Sequence, residues 1–416
     1  MKILVFANIF PPDIGGASMR AYNVVNALRS NGNEVTVITS FPHYPTGKIP
    51  NKYKWKFFYI ENESNLRILR TFLLPIPSSG LTNRLVIFLN YLLASMLVRI
   101  KVHDYDVIWT ANPNVLSFVP AKFYSIFRKK PIVMNIDDLW PEDVDNFGMT
   151  SENSMLMKVG TFLASFAYKN SSHLTPISPG YLRILKTKYR INTEKKATVI
   201  FPGVDLTQFA EQELPTAVQK DKKFQILYAG AFSIAYDFNQ ILLAAKILEG
   251  ENMEFLLHGA GECLDNVKSK IAKYGIHNVK ISENYLTRDE VTQLISNSDA
   301  LILPSRKFKY YYYGLPSKIF EYQAAGKPII CCSNGFPGQF IEETKSGVVV
   351  ESGDYRSLAK SILWLKSNPE ISKMLGKNGR TYAENNASIQ KIGTQIMEVF
   401  QKILTKPRQD EISINK

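Results

Sequence analysis

KILVFANIFPPDIGGASMRAYNVVNALRSNGNEVTVITS, residues 2–40, is the stretch whose reading decides the fold class. KILVFAN (2–8) is an apolar run of strand length that stops at the turn-forming residues Pro11, Pro12, Gly15 and Gly16. SMRAYNVVNALRSNG (18–32) then places apolar residues at helical spacing and closes at Gly32, and EVTVITS (34–40) returns to strand composition. Strand, helix and strand in this order make a βαβ unit.

The same grammar continues outward. NLRILRT (65–71), YDVIWTAN (105–112), PIVMNIDD (131–138), HLTPIS (173–178) and KATVIFPG (196–203) read as strands with helical stretches between most of them. A polar stretch, AEQELPTAVQKDKK (210–223), reads as the end of an interdomain connection. A second series follows: FQILYAG (224–230), MEFLLHGAG (253–261), NVKISEN (278–284), DALILPS (299–305), KPIICCS (327–333) and GVVVES (347–352). Alternating strands and helices imply parallel sheets covered on both faces, so the chain is expected to be α/β with two Rossmann-like domains. The expected division is 1–205, 206–387 and a closing helix with a polar tail over 388–416.

With 416 residues, 45% apolar and 21% charged, the chain is ordinary globular protein, which excludes disordered, collagen-like and disulfide-stapled classes. Its three cysteines, Cys263, Cys331 and Cys332, suit a reducing compartment, and the amino-terminal run reads as a strand and not as a secretion signal. Both readings lead to a cytoplasmic location. Net charge is +13, and the first 200 residues hold 24 basic against 13 acidic groups, the remainder 26 against 24. Such asymmetry suggests a phosphorylated substrate or an anionic membrane surface, or else a solvated basic face; no nucleic-acid-binding signature accompanies it. LVIFLNYLLASMLV (85–98), flanked by Arg84, Arg99 and Lys101, is 14 residues long and contains Asn90. It reads either as a core helix or as a membrane-facing helix with basic flanks.

Two segments carry chemistry. In PPDIGGASMR (11–20), Gly15 and Gly16 let the backbone approach a ligand, and the helix start offers amides to an anion; a tight βα turn is the alternative. In GLPSKIFEYQAAGKPII (314–330), Ser317 reads as an N-cap, Lys318 supplies charge, and Glu321 can accept both hydroxyls of a ribose or else balance the helix terminus.

This second string resembles the donor-binding segment of retaining GT-B glycosyltransferases of family four, especially the branch that builds O-antigen, capsule and related lipid-linked glycans. FANIFPPDIGGASMR, SFPHYPTGK (40–48), IDDLWPED (136–143), ISPG (177–180), FPGVDLTQF (201–209), YAGAFSIAYDF (228–238), HGAGE (258–262) and LTRDEV (286–291) agree in order. The resemblance implies the GT-B fold, two Rossmann-like domains facing a central cleft, with a closing helix that crosses back to the first domain. It implies a nucleotide-sugar donor, most readily a UDP-sugar, held by Gly314, Leu315, Pro316, Ser317, Lys318 and Glu321 together with Gly15 and Gly16. It places Arg20 and His43 at a lipid-linked acceptor, and implies no cofactor, no metal, and an enzyme peripheral at the inner face of the plasma membrane.

Three departures stand out. Tyr313 occupies the position of the first glutamate of the Glu-x7-Glu motif, of which Glu321 is the second. The usual Arg and Lys after the first strand of the second domain are missing from AGAFSIAYDF, leaving Lys318, with Arg306, Lys307 and Lys309 as looser candidates. Asp137 stands where the active-site histidine is expected, with Asp138 as the alternative catalytic carboxylate. Asp104/Asp106 and Asp143/Asp145 read as structural. A nucleotide-sugar 2-epimerase of the same architecture and a non-catalytic nucleotide-sugar-binding protein are the rival functions.

Overall fold

The computed structural model describes residues 1–13, 15–44, 47–77, 80–111, 115–146, 154–209, 223–284 and 286–405. The connection expected at 210–223, Lys223 excepted, and the tail from residue 406 lie outside them. Two compact units emerge: residues 1–145, 149–201 and 389–416 form the first, and 202–388 with 146–148 the second.

The first unit is built on seven strands: β1 (Lys2–Phe6), β2 (Glu34–Ser40), β3 (Phe58–Glu63), β4 (Leu66–Thr71), β5 (Val107–Thr110), β6 (Ile132–Ile136) and β7 (His173–Pro176). Their order is β3-β4-β2-β1-β5-β6-β7. All neighbours are parallel except β3, which folds back antiparallel on β4 through Ser64 and Asn65. Sequence reading passes over β3 because it is an edge strand with no fully buried residue.

Strand order reverses between β1 and β5. The crossover from β1 to β2 runs one way, those from β4 through β7 the other, so right-handedness puts their helices on opposite faces. On one face α1 (Gly16–Ser30) packs against the carboxyl-terminal helix Ile389–Leu404, where Asn33 Nδ2 meets Met397 Sδ at 3.3 Å. On the other lie α2 (Leu81–Leu97), α3 (Phe118–Arg128) and the helix Met155–Asn170. Between the first face and the sheet sits a core of Ile3, Val5, Val24, Leu28, Trp109, Ile392 and Phe400.

KATVIFPG is not a strand. Thr193–Lys196 form a helical turn, and Ala197 makes only an isolated bridge to Leu174, after which Thr198 and Ile200 donate amides to Leu174 and Pro176. The stretch 85–98 lies in a helix with one buried and one exposed side. Ile87, Tyr91, Ala94 and Val98 turn inward, with the Tyr91 hydroxyl donating to the Ile38 carbonyl at 2.9 Å, while an apolar stripe faces solvent. Together with its neighbours, residues 82–101 are long and apolar enough to cross a bilayer by composition (mean hydropathy 1.4); in this fold one side is tied to β2.

The second unit has six parallel strands in the order β10-β9-β8-β11-β12-β13: β8 (Phe224–Ala229), β9 (Met253–His258), β10 (Val279–Ser282), β11 (Ala300–Pro304), β12 (Ile329–Cys332) and β13 (Gly347–Val350). The order reverses between β8 and β11. Cys331 and Cys332 are adjacent on β12, so they point to opposite faces and remain free thiols. Both units are doubly wound, and each offers a switch point at the carboxyl edge of its sheet, where such folds take ligands.

Candidate active site

At the switch point of the first unit, β1 runs into the loop that ends at Gly15, and α1 starts at Gly16 without a side-chain cap. The amides of the first turn therefore lack intrahelical acceptors. Gly15 has φ +150°, and a Cβ there would lie 3.1 Å from the Tyr44 ring, so only glycine fits. Across β1, Asp13 Oδ1 accepts the amides of His43 (2.7 Å) and Tyr44 (2.8 Å) and fastens the loop after β2. His43 is buried and its Nδ1 donates to the Phe41 carbonyl at 2.9 Å. Burial raises the Asp13 carboxyl above its usual range against the pull of His43. Sequence reading did not single out Asp13.

Arg20, expected at an acceptor, is instead turned inward. Nη1 donates to the Phe201 carbonyl (2.6 Å), and Nη2 to the Ile200 carbonyl (3.1 Å) and Asn135 Oδ1 (3.0 Å). Its Nε lies 3.6 Å from Asp137 Oδ1, which also accepts from Asn135 Nδ2 at 2.7 Å. Arg20 thus holds Asp137 in place from α1. Burial lifts the Asp137 carboxyl to about 6, while Arg20 and the Asn135 hydrogen bond oppose the rise. Asp137 Oδ2 has no hydrogen-bond partner. Asp138 keeps its side chain in solvent, yet surrounding protein and the Asp137 charge push it upward too.

Asp143 and Asp104/Asp106 are structural. Asp143 Oδ2 accepts the Leu139 amide (2.8 Å), Asp104 pairs with Arg128 (2.9 Å), and Asp106 accepts the Lys2 amide (2.8 Å). Among the described residues no three His, Cys, Asp or Glu converge as metal ligands.

In the second unit the switch point lies where β8 ends at Gly230 and β11 leads through Ser305 to the loop before the helix Lys318–Ala324. Gly230 has φ +146°, a backbone conformation that favours glycine, and lies close against Lys318 Nζ. That ammonium stacks over two rings, 4.2 Å from the Tyr228 centroid and 4.4 Å from Tyr236, with no hydrogen-bond partner. Its burial brings the amine down to about 7, although the Glu321 charge pulls it back up. Glu321, one turn along, is partly exposed and pairs through Oε1 with Arg288 Nη2 at 2.8 Å. Arg288 Nε in turn donates to Gln208 Oε1 at 3.0 Å. So Glu321 is held by a cation from another helix, Arg288–Asn297, and not merely set against its own helix terminus. Within the string LTRDEV nothing local singles out Arg288.

Ser317 is not the expected cap: its backbone is already helical (φ −57°, ψ −30°) and its hydroxyl accepts no helix amide. Leu315 is buried as core, and Gly314 is needed because a Cβ would strike Tyr312. Pro316 is half-buried, its carbonyl accepting the Ile319 amide. Tyr313, in place of a carboxylate, packs on Tyr311 at 4.8 Å. Arg306 donates to the Ile234 carbonyl (3.3 Å), Lys307 pairs with Glu351 (3.2 Å), and Lys309 lies over Tyr310. None of these three is spare; Lys318 is the cation enclosed at this edge without a hydrogen bond.

Two family models follow one another along the chain: Glycosyltransferase Family 4 matches residues 14–208 and Glycosyl transferases group 1 matches 210–382. The chain has the GT-B fold and carries these two glycosyltransferase domain families in succession. An uncharacterized glycosyltransferase of Methanocaldococcus jannaschii is 24% identical over 402 residues, covering 93% of this chain and 92% of that one. Among solved structures, sucrose-phosphate synthase of Thermosynechococcus elongatus superposes with a TM-score of 0.76 at 17% identity, covering 97% and 99% of the two chains. Anabaena HepE in complex with UDP-glucose superposes with a TM-score of 0.67 at 15% identity, covering 97% and 100%. Within this GT-B frame Gly15, Gly16, Asp137 and His43 gather at one carboxyl edge, and Lys318, Glu321 and Arg288 at the other.

Proposed function

We propose that this glycosyltransferase moves a hexose from a uridine diphosphate sugar to a lipid-linked saccharide or lipid phosphate, with retention at the anomeric carbon, in the branch that makes O-antigen, capsule and related glycans. Its place is the cytoplasmic face of the plasma membrane. The observation that carries the reading is the second unit's switch point, where Glu321 is presented by Arg288 one turn from the ammonium of Lys318. A carboxylate so held suits the two ribose hydroxyls. An ammonium without a hydrogen bond suits a diphosphate, which would replace aromatic faces with anionic oxygens.

The chemistry is a problem of charge. The bond from the anomeric carbon to the diphosphate oxygen breaks with its electron pair leaving on the diphosphate, and the sugar gains oxocarbenium character. Lys318 stabilises the departing anion. The acceptor oxygen bonds to the anomeric carbon on the face the diphosphate leaves, and its proton passes to a departing phosphate oxygen. Asp137, fixed by Arg20 and Asn135, accepts a sugar hydroxyl through its free Oδ2 and sets the ring's orientation. The donor is a co-substrate, and no resident cofactor enters.

Incubation with UDP-, GDP- and TDP-sugars and a polyprenyl-phosphate-linked acceptor, read by mass spectrometry and proton NMR, tests this. The expected product is a glycosylated lipid of retained configuration formed from the UDP-sugar. An epimerised nucleotide sugar formed without acceptor, or binding without turnover, overturns it.

A further inference from the structure

We propose that the outer surface of α2, α3 and the helix Met155–Asn170 docks on an anionic lipid bilayer. This rests on the lipid-linked reading for its use, and on the following for its physics.

Two of the three helices carry a solvent-facing apolar stripe at helical spacing. On α2 and its continuation the stripe is Leu89, Leu93 (60% exposed), Leu97 (65%) and Ile100 (82%). On the helix Met155–Asn170 it is Met155, Val159, Phe162 (70%) and Phe166. Each helix buries its other side, through Tyr91 and Ala94 in one case and Ala164 and Tyr168 in the other, so the stripes are not core residues left over. The helices share one face of the sheet. α2 packs on α3, and Phe118 at the start of α3 meets Phe166 edge-on at 6.0 Å, so α3 joins the two stripe-bearing helices and adds exposed Ile126 and Phe127 of its own.

Charge selects the occupant. Residues 81–101, 118–130 and 155–170 contain nine basic side chains and no acidic one. Arg128 and Lys130 are balanced by Asp104 and Asp106 from the lead-in to β5, at 2.9 and 3.9 Å. A second copy of the chain on this face would set cations against cations. Apolar stripes on helices of net positive charge match acyl chains beneath anionic headgroups, where insertion and attraction add.

The experiment is flotation of the full chain with phosphatidylcholine vesicles, with and without phosphatidylglycerol, at low and high salt. Binding is expected only with phosphatidylglycerol, and weaker in salt. Leu93→Glu with Leu97→Glu removes the apolar part and is expected to abolish flotation while the melting temperature and transfer to a short-chain soluble acceptor stay unchanged. Lys101→Gln and Lys158→Gln touch no core residue, and each is expected to weaken partition about fivefold. Flotation of all these variants like the parent overturns the proposal. So does a parent that ignores anionic vesicles, or a dimer in light scattering that Leu93→Glu dissociates while vesicles bind neither form. Vesicle binding without any transfer activity would leave the docking surface standing and remove the transferase reading instead.

Discussion

The two carboxyl edges occupy equivalent places in two similar sheets, yet they treat their charges in opposite ways. At the first, Arg20 spends its terminal nitrogens on two backbone carbonyls and Asn135, and keeps Nε near Asp137, so the cation is closed off inside the protein and Asp137 Oδ2 is the atom left open. At the second, Glu321 and Arg288 form a partly exposed pair while Lys318 is enclosed without a hydrogen bond. A closed network fixes the shape of a wall. An open pair beside a desolvated ammonium leaves interactions to be made by something that arrives. The comparison assigns positioning to the first edge and donor capture to the second.

The difference is broken most severely at Arg20. Arg20→Ala leaves Asp137 buried without its cation and two carbonyls without donors, which is expected to cost about 3 to 5 kcal/mol of stability by denaturant titration. An effect below about 1 kcal/mol would mean that the network is not closed.

Next come the titrations, which have opposite signs. Asp137 titrates near 6 when folded and near 3.8 when unfolded, so the native state holds more protons between these values and the parent loses stability as pH rises from 4 to 6. Asp137→Asn lacks that loss, and its stability relative to the parent should improve by about 2 to 3 kcal/mol across the window. Lys318 titrates near 7 folded against 10.5 unfolded, so the native state holds fewer protons and the parent gains stability as pH rises above 7. Lys318→Met lacks the gain, and between pH 7 and 9 the parent should recover about 2 to 3 kcal/mol relative to it. Affinity for UDP in the parent should fall by up to about tenfold per pH unit above 7, a slope the variant should not show. Parallel pH profiles for parent and variant would remove Lys318 from the diphosphate site. The smallest effect expected is that of EDTA, with less than about a twofold loss of turnover; abolition with rescue by magnesium or manganese would return Asp104/Asp106 and Asp143/Asp145 to consideration.

Most strands are legible because buried parallel strands are continuous apolar runs bounded by turns. The run around Val199 and Ile200 has that composition but makes only an isolated bridge at Ala197 and two amide bonds to β7, whereas the polar end of β3, Glu61 to Glu63, has no such signal and still forms an edge hairpin. At the site, Lys318 and Glu321 are legible as the first turn of a helix after a Gly-Pro loop. Arg288 is not, because its partner is 33 positions away in sequence and only the fold joins them. Arg20 reads from sequence as an acceptor contact because its inward partners, Asn135 and the carbonyls of Ile200 and Phe201, are equally remote. Likewise the rings over which Lys318 lies, Tyr228 and Tyr236, belong to β8 and the loop after it, far from Lys318 in sequence.

The central claim, that the second edge takes the donor and Glu321 its ribose, is tested most directly by calorimetric titration of UDP into the parent and Glu321→Ala. The expected result is a loss of about 1.5 to 3 kcal/mol of binding, or roughly 10- to 150-fold in affinity, with a nearly unchanged melting temperature. Equal affinity in the two proteins would contradict it.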